Sequence, residues 1–142
     1  KQIWTVEPAA AKGQSLNQAI LDAIVQPAPS SEAPKHVFLT FIGSVNAGSQ
    51  TWLALTEHRA IQVDDFHRAP TPEELLQRAE TADFVEVADP SSTSLASWVP
   101  MNRLQTVFLE RIRQNQDFEE VRSFAGKGIT VYLFRKQTGS AQ

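Results

Sequence analysis

The chain has 142 residues, 42% of them hydrophobic and 20% charged, with a formal net charge of −3 and no cysteine. That length buries the core of one domain without covalent staples, and the lack of cysteine excludes a disulfide framework, a thiolate metal site and a cysteine nucleophile. The mildly acidic balance gives no sign of a nucleic-acid partner, and the most apolar run, His36 to Gly43, has the length of a strand, short of the roughly 20 residues that cross a bilayer.

The sequence opens on Lys1 and its single methionine is Met101, so it reads as a processed form or a piece of a longer protein. Residues 1–14 read as an N-terminal arm with no signal-peptide pattern. From Ser15, which reads as the cap, Leu16, Ala19, Ile20, Ala23 and Ile24 recur at helical spacing, predicting an amphipathic helix that stops before Pro27. The proline-rich stretch Gln26 to Lys35 reads as a surface loop. Val37 to Ile42 is apolar almost throughout, as expected of a central strand covered on both faces.

A turn holding Gly43, Asn46 and Gly48 leads to a short helix over Gln50 to His58 and then a brief strand over Ala60 to Phe66. Thr71, Pro72 and Glu74 stand as cap, first helical residue and capping-box partner, the best-marked helix start in the chain. Asp83 to Pro90 reads as a strand, Ser91 to Pro100 as a polar loop with an apolar tip, and Met101 to Gln114 as one longer helix. Phe118 to Phe124 and Ile129 to Arg135 predict an antiparallel hairpin around the turn Ala125 to Gly128; residues 137–142 read as a disordered tail. The fold expected is α/β: a three-layer sandwich with a mostly parallel sheet and a C-terminal antiparallel hairpin at its edge.

No catalytic signature appears. Gly43 and Gly48 lack dinucleotide-motif spacing, no phosphate-loop motif exists, and the serines between Pro90 and Trp98 lack a nucleophile-elbow context. Asn46 and Ser49 follow the expected central strand, where open sheets bind ligands, and offer hydrogen bonds there; the plainer reading has Asn46 in a left-handed turn and Ser49 capping the helix. Asp64, Asp65 and His67 supply residue types for acid/base or metal chemistry, although a solvated acidic turn is the commoner meaning. Trp4, Trp52 and Trp98 are dispersed and read as packing, with Trp98 also a candidate membrane or partner contact. No metal and no cofactor is expected.

Phe118 to Lys136, "FEEVRSFAGKGITVYLFRK", resembles the carboxyl-terminal extramembrane segment of bacterial multi-spanning glycosyltransferases, the family of protein O-mannosyltransferases and aminoarabinose transferases. Val45 to Ile61 and Ala82 to Asp89 are similar to the turn–helix–strand and strand that stand before it there, so the resemblance spans Val37 to Lys136. It implies a soluble, noncatalytic periplasmic domain of a membrane protein whose catalytic residues lie elsewhere. The implied partners are the membrane part of the same polypeptide and a lipid-linked sugar or its acceptor, with no nucleic acid. The alternatives are a Rossmann-like cofactor-binding enzyme of methyltransferase type and a plain interaction module.

Overall fold

The computed structural model describes residues 6–7, 15–25, 33–65 and 70–137. Their centre is a six-stranded sheet in the order β1-β5-β6-β4-β2-β3, built from β1 (Val6–Glu7), β2 (Lys35–Leu39), β3 (Ile61–Asp64), β4 (Phe84–Ala88), β5 (Phe118–Gly126) and β6 (Ile129–Lys136). Parallel pairing joins β2 to β3, β2 to β4 and β1 to β5, and only β6 runs against its neighbours. The C-terminal hairpin is therefore present, but its antiparallel strand lies inside the sheet between β4 and β5. The edges are β1 and β3. Part of the expected N-terminal arm, Val6–Glu7, belongs to the sheet as β1, while the expected tail over 138–142 lies outside the described residues.

Strand periodicity divides the core in two. Phe38, Val85, Val87, Phe118 and Phe134 pack with Leu75 and Ala79 of α3 (Pro72–Glu80) and with Phe108 and Ile112 of α5 (Gln105–Gln114). Val37, Leu39, Phe84, Val131 and Leu133 pack with Ile20 of α1 (Leu16–Ile24) and Ala47 of α2 (Ala47–Thr56). Neighbouring strand residues point to opposite faces, so both faces of β4 are buried, as its five-residue buried run shows.

The helix starts follow their cap chemistry. Ser15 accepts a hydrogen bond from the Gln18 amide, and Thr71 and Glu74 form the full capping box. The single helix expected over Met101 to Gln114 is instead broken into α4 (Pro100–Arg103) and α5. At the junction the Leu104 amide donates to the Met101 carbonyl at 3.0 Å, a three-residue step that resets the helix phase. The strand expected to reach Ile42 stops at Leu39. Beyond it the Ile42 amide donates to Asn102 Oδ1 at 2.8 Å and its carbonyl accepts from Asn102 Nδ2 at 2.9 Å, so a side-chain amide replaces a strand neighbour.

The hairpin carries a second departure. Glu120 pairs with Phe134 and Arg122 with Leu133, leaving Val121 as an extra residue, a β-bulge. One extra residue inverts the alternation, so Phe118 joins the α3/α5 cluster and Phe124 the α1/α2 cluster. At the turn, Gly128 takes φ +74°, a conformation that residues with a Cβ rarely adopt.

Candidate functional site

The strands β2 and β4 are adjacent, yet the chain leaves β2 toward β3 and leaves β4 toward β5 on the other side of the sheet. Their carboxyl ends therefore form the topological switch point, where open α/β sheets bind ligands. In this protein side-chain amides fill that position. Gln105 Oε1 accepts from the Ala88 amide at 2.8 Å and the Thr40 hydroxyl at 3.1 Å, while its Nε2 donates to the carbonyls of Thr40 and Met101. Gln105 is fully buried. With Asn102 clamping Ile42 and donating to the Ala96 carbonyl at 3.0 Å, the crevice is stitched shut from α4 and α5.

Asn46 lies beside this seam but its groups are committed. Its backbone is extended, φ −155°, where a left-handed turn was the expectation, and it is itself the cap of α2. Its Oδ1 accepts from the Ser49 amide at 2.8 Å, and its Nδ2 donates to the carbonyls of Gly43 and Ser44. Ser49 is thus the residue whose amide is capped, and the helix begins three residues before the expected start at Gln50.

Beneath α2 lies a polar cluster that sequence reasoning missed. Glu86, on the middle strand, points into the α1/α2 side of the core and is fully buried. Gln50 Nε2 donates to its Oε1 at 2.8 Å and to Asn17 Oδ1 at 3.4 Å, and Asn17 Oδ1 also accepts from the Asn46 amide at 3.2 Å. Glu86 Oε2 and Gln50 Oε1 have no hydrogen-bond partner. Burial drives the Glu86 pKa from 4.5 up to about 8, and the bond from Gln50 offsets only part of the rise. A pKa of about 8 leaves the carboxyl mainly protonated at neutral pH, so no bare charge is buried beneath the helix. The available signal was the one acidic residue inside the apolar run "FVEVA".

Asp64 and Asp65 do come together, at the carboxyl end of the edge strand β3. They line a groove of about 460 Å³ with Val63 and, across it, Gly48, Trp52 and Leu55 of α2. Asp64 accepts a hydrogen bond from Gln62 at 3.3 Å, and Asp65 also has an interaction partner. His67, the third member of the expected cluster, lies outside the described residues, as does Trp4. Trp52 and Trp98, expected as packing residues, are 64% and 79% exposed. Their neighbours in sequence supply the core contacts instead: Ala54 on α2 and Met101 on α4 are buried.

Among the described residues no group of three or more His, Cys, Asp or Glu is placed to hold a metal ion, and no helix is long and apolar enough to cross a membrane. Comparison of the chain with protein-family models, curated proteins and solved structures finds no match.

Proposed function

We propose that this chain is a noncatalytic docking domain, and that it serves as the extramembrane accessory domain of a membrane glycosyltransferase that uses a lipid-linked sugar donor. The observation that supports this most directly is the filled switch point. Gln105 and Asn102 spend seven hydrogen bonds on the ends of β2 and β4 and on the backbone around them, so a substrate entering there has to break a satisfied buried network. We read the two separate core clusters as the two interlayer contacts of a three-layer sandwich. The proposed family and its periplasmic setting rest on the resemblance of the sequence from Val37 to Lys136 alone.

The test is to incubate the chain with a radiolabelled polyprenyl-phosphate sugar and an acceptor peptide. The expected result is transfer at the background rate, and turnover by the chain alone overturns the reading. The rival, a Rossmann-like cofactor-binding enzyme, draws support from the antiparallel β6 set among parallel strands. Calorimetric titration with S-adenosylmethionine decides it: saturable micromolar heat favours the rival, and flat heats favour the docking domain.

A further inference from the structure

α2 turns its largest apolar side chains outward. Trp52 is 64% exposed and Leu55 72% exposed, and residues three apart on a helix are neighbours on one face. A single exposed apolar residue is ordinary, but two adjoining ones beside a groove form a patch of the kind that marks an interaction surface. Across the groove the described lining residues that carry charge are both acidic, Asp64 and Asp65. An aromatic face, an aliphatic contact and two carboxylates thus border one open site at the sheet edge.

We infer that this groove docks a protein segment that presents an arginine or lysine next to an apolar side chain. The inference rests on the docking-domain reading and names the partner's chemistry. A guanidinium is planar, stacks on an indole face and pairs with carboxylates through two parallel bonds. Its apolar neighbour covers Leu55 and Val63. An acidic segment meets the like charge of Asp64 here, and a neutral sugar gains the stacking without the charge complementarity. The groove is also clear of the buried network, because Glu86 on β4 and Gln50 on the inner face of α2 have no exposed surface.

The experiment uses a fluorescein-labelled peptide of alternating leucine and arginine, a twin with glutamate in place of arginine, and a neutral oligosaccharide as competitor. Anisotropy of the arginine peptide is expected to rise saturably with protein. Affinity should fall at least five-fold in Trp52→Ala and in the double variant Asp64→Asn/Asp65→Asn, and should weaken as salt is raised from about 50 to about 300 mM. Trp52→Ala removes an exposed side chain, so its melting curve should stay close to that of the parent. The inference is overturned by an unsaturated titration, by equal binding of the glutamate twin, by an unaltered Trp52→Ala titration, or by displacement of the peptide by the oligosaccharide. A failed titration with an inert transfer assay leaves the noncatalytic reading standing; sugar transfer by the chain overturns that reading whatever the peptide does.

Discussion

Glu86 carries the largest pH effect at the scale of one residue. Its pKa is about 8 in the folded chain against an ordinary 4.5, so the native state binds a proton that the unfolded state releases. The stability this gives is fully present below pH 4.5 and is lost as pH rises through about 8, at a slope approaching about 1.4 kcal/mol per pH unit within that window. Glu86→Gln imitates the protonated acid, since it is neutral and its carbonyl can keep the bond that Glu86 Oε1 accepts from Gln50 Nε2. The variant is expected to match the parent near pH 4 and to melt well above it at pH 8, by roughly 3–6 °C for each pH unit crossed. Thermal melts by circular dichroism across that range check it, and parallel curves for the two proteins would contradict the assignment.

At the scale of elements, α5 reaches through Gln105 to hold two strand ends in register. Gln105→Met keeps the volume and removes every polar contact, leaving the Ala88 amide and the Thr40 carbonyl short of partners in a buried site. The cost expected is about 2–4 kcal/mol, seen as a lower urea midpoint with an unchanged slope. A loss below about 0.5 kcal/mol would show that packing alone closes the seam. Arg59 plays a similar part between α1 and α2: it donates to the Val25 carbonyl and to Asp22 and Glu57 while only 3% of its side chain is exposed.

These tertiary bonds explain which elements were legible in the sequence. The α3 start was readable because the capping box is a local arrangement of Thr71, Pro72 and Glu74. The apolar runs of β2 and β4 were readable because burial on both faces leaves no polar alternation. The ends of β2 and α4 were not, since Asn102 and Gln105 fix them across about 60 residues of chain. The Val121 bulge left no sequence sign, and His58, at φ 57°, closes α2 in a place where glycine is the usual signal. Of the candidate residues, Asp64 and Asp65 were rightly placed at a strand end, Asn46 and Ser49 proved to be one cap, and Glu86 passed as an ordinary strand residue.

At the scale of the whole molecule, the sheet order makes a late segment of the chain its interior. β6 is the last strand in sequence, yet it is hydrogen-bonded on one side to β5 over eight residue pairs and on the other to β4 over five. Its alternate residues, Val131 and Leu133 against Tyr132 and Phe134, pack into opposite clusters. Removing β6 therefore separates β4 from β5 and opens both cores at once. An amide there exchanges with solvent only when the sheet comes apart as a unit. β3 is a four-residue edge strand and β1 a two-residue one, so each has one neighbour and can detach with fewer lost contacts. Hydrogen exchange followed by mass spectrometry should find the slowest amides in β6 and β4, with protection close to the global unfolding free energy, and the fastest strand amides in β1. Protection of β6, where Leu133 stands directly opposite Glu86 in the ladder, should also fall as pH rises from about 4.5 toward about 8, because the proton that Glu86 holds in the folded sheet stabilises it less and less across that window. If β1 or β3 instead exchanges as slowly as β6, the molecule opens through its centre, and the interior position of the last strand does not govern its stability.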